Sequence, residues 1–159
     1  ELLEPPMKLA AFLLATSALV LSACATTPSA GGASAASANL QETASLMVSI
    51  GQHGEGSDAA GIADLSAQVD AKVAVAPNDP FVLKVAAQSR RSLAEYSPDR
   101  AQRTKLRQTA ISEFDKAISL SKPDTASRLV MINGQETEID LKDISDLRAQ
   151  TAAAITADQ

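Results

Sequence analysis

The sequence predicts a mainly α fold, a short antiparallel helix array carrying a C-terminal β-hairpin and a terminal helix. Three observations predict it. Beyond residue 39, apolar residues recur at three- and four-residue spacing through most of the chain. Proline and glycine interrupt that pattern at intervals of about one helix length. Near the end the pattern gives way to two strand-like runs on either side of Asn133-Gly134. With 159 residues and 3% aromatics, the chain has room for one ordinary domain whose small side chains suit closely packed helices.

The first helix is predicted from Asn39, whose side chain can cap the first amides while Glu42 answers three residues on, through Leu40, Ala44, Met47 and Ile50 to a stop at Gly51. Residues 51–61 contain four glycines and read as a loop. The second helix, Ile62 to Ala76, places Ile62, Leu65, Val69 and Val73 on one face and ends before Pro77. Asp79-Pro80 reads as a cap followed by a first-turn proline, opening a third helix with Phe81, Val82, Val85 and Leu93 along it. Ser97-Pro98 repeats the device for a fourth helix, which carries Leu106, Ala110, Phe114, Ala117 and Ile118 and stops before Pro123.

Asn133-Gly134 between Arg128-Leu-Val-Met-Ile and Gln135-Glu-Thr-Glu-Ile-Asp-Leu141 is a strong hairpin signal, because both turn positions tolerate positive φ. A two-residue turn pairs Ile132 with Gln135 and Val130 with Thr137, so Val130, Ile132, Thr137 and Ile139 share a face. The last helix, about Lys142 to Thr156, turns Ile144, Leu147, Thr151 and Ile155 inward. An isolated hairpin is marginal, so this one must pack on the helices or on a partner. The helical domain is thus expected over 39–158, with the hairpin at 128–141.

The preceding residues are of another kind. From Met7-Lys8 the chain runs through thirteen uncharged residues, Leu9 to Leu21, to Leu21-Ser22-Ala23-Cys24. As a helix that core spans roughly 20 Å, short of a bilayer's ~30 Å. Basic start, apolar core and small-residue site come in the order of an export signal, expected over 7–23. The tetrapeptide resembles the lipobox of bacterial lipoproteins. That resemblance implies cleavage before Cys24, acylation of the Cys24 thiol and stable attachment to a membrane. Ala25 then implies the periplasmic face of the outer membrane, with the inner membrane left open. Residues 1–6 carry Glu1 and Glu4, foreign to an export signal, and read as an upstream extension. Residues 25–38, ATTPSAGGASAASA, lack charge and large apolar side chains, and with Cys24 are expected to form a flexible tether.

The run Ala110-Ile-Ser-Glu-Phe114-Asp-Lys-Ala117 with Pro123 beyond it looks like the second helix of a tetratricopeptide repeat, and Asp70 to Pro77 echoes its end about 45 residues earlier. The usual spacing is 34, and the third helix lacks the family's Trp/Leu-Gly/Tyr pattern. The likeness covers residues 62–123 and implies a protein-binding helical scaffold.

Composition excludes several classes of function. A net charge of -5 and a pI near 4.8 argue against nucleic acid. The single cysteine excludes an internal disulfide or a cysteine metal cluster. His53, Glu55 and Asp58 could be recruited as metal ligands, but a glycine-rich loop gives them no fixed spacing, so no metal and no cofactor are expected. No serine occupies a nucleophile elbow, no phosphate-binding glycine motif occurs, and no acid is expected in an apolar context that would raise its pKa, so no enzyme is expected.

Charge layout is more informative. Between Lys84 and Arg107 stand seven basic residues, Lys84, Arg90, Arg91, Arg100, Arg103, Lys105 and Arg107, against Glu95 and Asp99 alone. Arg100, Arg103 and Arg107 prolong the apolar stripe of the fourth helix. They lie over the core edge or pair with acids from the C-terminal elements, with Glu136, Glu138 and Asp140 as candidates; otherwise, with Arg90 and Arg91, they form a partner site. The leading functional expectation is a membrane-anchored scaffold or assembly factor for an envelope protein. The alternative is a module that binds an anionic envelope polymer or small ligand through residues 84–107.

Overall fold

The computed structural model describes residues 31–121 and 127–158. The expected upstream extension, the expected export signal and cleavage site, and Cys24 lie outside the described residues. The elements are α1 (Gly31–His53), α2 (Ala59–Val75), α3 (Pro80–Tyr96), α4 (Arg100–Leu120), β1 (Arg128–Ile132), β2 (Gln135–Ile139) and α5 (Ile144–Ala157). The mainly helical array with its hairpin and terminal helix is the architecture expected from sequence.

Helix α3 is the centre of the array. Phe81 to Ala87 are buried without interruption, so this helix has almost no solvent face over its first half, and α1, α2 and α4 all pack on it. Its start is built as predicted: Pro80 sits in the first turn and Asp79 Oδ1 accepts from the Phe81 N–H at 2.9 Å. Leu40 shares a cluster with Phe81 and Val82, and Ile50 shares one with Leu93, so α1 runs parallel to α3. Ile62 and Leu106 meet Leu93, while Phe114 and Ala117 meet Leu83, so α2 and α4 both run antiparallel to it. Ala87, Ala110 and Ala117 are fully buried and allow α3 and α4 to approach closely. On the outside of α4, Arg148 donates to Asp115 and Arg107 to the Ala154 carbonyl, so α5 lies antiparallel to α4.

These directions give the molecule two poles. The near pole gathers the ends of α2 and α4, the starts of α3, β1 and α5, and the first turns of α1. The far pole gathers the turn at 54–58, the turn at 97–99 and the end of α5.

The hairpin register is the predicted one, with Ile132 opposite Gln135 and Val130 opposite Thr137; Asn133 and Gly134 have φ of 51° and 79°. Val130, Ile132 and Ile139 complete the cluster around Leu40, Ala44, Phe81, Val82 and Val85, while Arg128 lies over the Phe81 ring at 4.4 Å.

Several boundaries correct the sequence reading. Helix α1 begins at Gly31, eight residues before the expected cap, so 31–38 are helix where a tether was expected. Once 39–53 has met the nucleation cost, an alanine-rich stretch adds turns readily. Asn39 therefore does not cap. It is buried, and its Nδ2 donates to the Lys72 carbonyl at 3.1 Å. Gly51 does not end the helix either. The stop comes at Gly54, where an added Cβ would lie 2.6 Å from both the Ile50 carbonyl oxygen and Tyr96 Cδ2, so only glycine lets Tyr96 pack there. The expected loop shrinks to residues 54–58, because Asp58 caps α2 by accepting from the Gly61 N–H at 2.8 Å, and α2 begins at Ala59 rather than Ile62. At α4 the cap is Asp99 rather than Ser97, whose hydroxyl instead donates to Gln102 Oε1.

Candidate functional site

Helices α2 and α4 flank α3 on the same side and barely touch each other, which leaves a groove of about 320 Å³ floored by Arg90 and Leu106. Ala63 and Ala67 on α2 keep it open, and Gln102, Lys105 and Thr109 line it from α4. At its near-pole end lies a polar cluster. Arg90 is 3% exposed, and its Nε donates to both carboxylate oxygens of Glu113 at 3.0 Å, Nη1 to the Ser66 hydroxyl at 3.0 Å and Nη2 to Asp70 Oδ1 at 2.6 Å. Charge burial is tolerated because the cation meets acceptors on both flanking helices.

Glu113 corrects the expectation that no acid sits in an apolar context. It shares the stripe of Ala110, Phe114 and Ala117, and burial pushes its carboxyl above the usual glutamate value, against the opposing pull of Arg90. Asp70 differs in that it remains largely exposed at the groove rim while holding the same arginine.

The other basic residues are distributed among separate structural ties. Arg103 Nε and Arg107 Nη1 both donate to Asp158 Oδ2, and Arg103 also donates to the carbonyls of Ser97 and Pro98 at 3.1 and 3.2 Å. The acid from the C-terminal elements is therefore Asp158, and not Glu136, Glu138 or Asp140. The two arginines hold the Asp158 carboxyl below its ordinary value. Arg91 donates to Gln150 Oε1 on α5 at 3.2 Å. Lys84 is buried and donates to the Asp140 carbonyl and to Asp143 at the start of α5. Arg100 is exposed at the first position of α4. Thus the residues expected as one patch do not converge: Arg90 faces α2 and the groove, whereas Lys84, Arg91, Arg103 and Arg107 fasten the C-terminal segment.

Sequence reading missed Glu113, Asp70, Ser66 and Asp158. A signal existed for Glu113, an acid three residues after Ala110 and next to Phe114 on an apolar stripe. None existed for Asp70 and Ser66, whose link to Arg90 appears only when α2 is laid on α3. His53 closes α1, with Glu55 and Asp58 beyond it in the turn; among the described residues no three His, Cys, Asp or Glu side chains gather as metal ligands. Nor is any helix among them long and apolar enough to cross a membrane. Compared with known proteins, the chain matches no family model, no curated sequence and no solved structure.

Proposed function

We propose that this chain is a lipid-anchored periplasmic lipoprotein, on the outer membrane, that acts as a non-enzymatic scaffold or assembly factor and holds an envelope protein partner in the groove between α2 and α4. The groove carries the proposal. It offers an open cleft with an apolar floor at Leu106, hydrogen-bonding groups at Gln102 and Thr109, and charges of opposite sign at Lys105 and Asp70. The lipobox-like Leu21-Ser22-Ala23-Cys24 supports the address, and the likeness of residues 62–123 to tetratricopeptide repeats supports protein binding.

The second reading, a module that binds an anionic envelope polymer or small ligand through residues 84–107, has less support. Arg90, Arg103 and Arg107 are each engaged by carboxylates of this chain, which leaves them less charge to offer an anionic ligand.

A photo-crosslinking residue placed at Ala67 or Thr109 of the full chain in the living cell tests this function. One discrete protein adduct that survives high salt is expected from both positions. Adducts only with salt-sensitive glycan, or none at either position, would reject it. Cys24→Ser should accumulate uncut, unlipidated precursor, and normal maturation of that variant would remove the anchor.

A further inference from the structure

Among the described residues five large apolar side chains are exposed: Val75 at 70%, Leu129 at 58%, Met131 at 44%, Ile118 at 38% and Leu120 at 37%. A single exposed apolar residue is ordinary, but these are not scattered. Val75 ends α2, Ile118 and Leu120 end α4, and Leu129 and Met131 lie on the outward face of β1, whose first residue is tied to the cap of α3 by the Arg128–Asp79 ion pair. Val75, Ile118, Leu120 and Leu129 belong to the near pole, while Met131 stands farther along β1, beside Ile132, which lines a cleft with Met47 and Gln88. The far pole carries none among the described residues and presents Glu55, Asp58 and Asp99 instead.

The chain enters the domain at the near pole. The first core residues of α1 are Asn39 and Leu40, so residues 31–38 project about 12 Å along the helix axis beyond them. Cys24 stands seven residues before Gly31, which places it at most about 25 Å away even if that stretch is fully extended. A lipid on Cys24 therefore holds the near pole, and not the far one, beside the bilayer.

We propose that the near pole seats on the membrane surface, with Val75, Leu120 and Leu129 entering the boundary between headgroups and acyl chains. The proposal rests on the lipoprotein reading above. A few apolar side chains would not hold a free domain on a bilayer, but a short tether makes the contact intramolecular, so that even weak insertion fixes orientation. The far pole then points away from the membrane, and the α2–α4 groove runs between the two along the side of the domain.

The chain contains no tryptophan, so single-tryptophan variants report position without background. The full chain, matured in cells with Leu129→Trp, Val75→Trp or, at the far pole, Gln52→Trp, would be purified and reconstituted into phosphatidylethanolamine–phosphatidylglycerol vesicles with brominated acyl chains. Insertion of roughly 5–10 Å brings the two near-pole indoles within quenching range, so their emission should shift to the blue and fall about twofold, while Gln52→Trp is unaffected. Protein that floats with the vesicles but shows no quenching, or equal quenching at both poles, overturns the seating and leaves the anchor standing. Protein that does not float overturns the anchor and the seating together. A doubled mass in sedimentation, abolished by Leu129→Ser, would assign the near pole to a second copy and also overturn the seating.

Discussion

Arg90 and the pair Arg103–Arg107 lie within eighteen residues of one another in a single basic stretch, yet they are different kinds of interaction. Arg90 is inside the protein, shared by a buried glutamate and a rim aspartate, and three helices depend on it. Arg103 and Arg107 are partly exposed and converge on one carboxylate near the end of α5. The difference teaches that a charge run says little about energy until it is known which helix has a solvent face. Helix α3 has almost no solvent face over Phe81–Ala87 and is buried again at Arg90, so that arginine draws a counter-ion, Glu113, inside with it. Helix α4 has one, so its cations reach sideways over the next helix.

The largest effect should come from Arg90→Met, which leaves Glu113 buried without its cation and is expected to cost about 3–5 kcal/mol in urea unfolding. Adding Glu113→Leu should recover most of that loss, because an apolar pair of similar volume needs no counter-charge. A single variant that unfolds like the wild type would erase the contrast between the two clusters. Lys84 tests an intermediate case, a buried cation whose partners Asp140 and Asp143 are themselves partly exposed. Lys84→Met should cost about 1–2 kcal/mol, since the partners regain water. A loss as large as that for Arg90→Met would show that burial of the cation alone sets the scale.

The subtlest prediction is one of sign. Glu113 has a folded pKa raised above its unfolded value of 4.5, so the stability it confers is complete below pH 4.5 and is lost as pH rises through the folded value. Asp158 has a folded pKa below 3.8, so its contribution is present above pH 3.8 and is lost as pH falls through the folded value. Melting curves should therefore show wild type losing ground to Glu113→Gln as pH rises from 4 to 7. Wild type should gain on Asp158→Asn as pH rises from 2 to 4. Parallel pH trends in the two variants would show that the clusters do not differ as the structure indicates.

How much of this was legible in the sequence depends on how local the cause is. The hairpin register follows from Asn133-Gly134 and the start of α3 from Asp79-Pro80, because the residues that decide each geometry are adjacent in the chain. The beginning of α1 was not legible, since Gly31 to Ala38 has no apolar periodicity and helix there is propagated from a neighbouring segment. The groove was not legible at all. It exists because α2 and α4 each find α3 and leave a gap between themselves, and no spacing within α2 foretells that Ser66 and Asp70 will stand over Arg90. The fully buried first half of α3 was the available warning, since Phe81-Val-Leu-Lys-Val-Ala-Ala87 is apolar on nearly every side.

The docking of the hairpin on α1 also bears on the order of folding. Helices α2, α3 and α4 are consecutive, and their contacts close short loops, whereas Leu40 and Val130 meet across about ninety residues of chain. The cluster they share with Phe81 draws its side chains from α1, α3 and the two strands, so it is complete only when segments from both ends of the domain have met. Without β1 the cluster of Leu40, Ala44 and Val82 lacks one wall, so contact order predicts that the helical trio gathers before the hairpin docks. On that expectation the first segment of the domain to leave the ribosome is among the last to be fully packed.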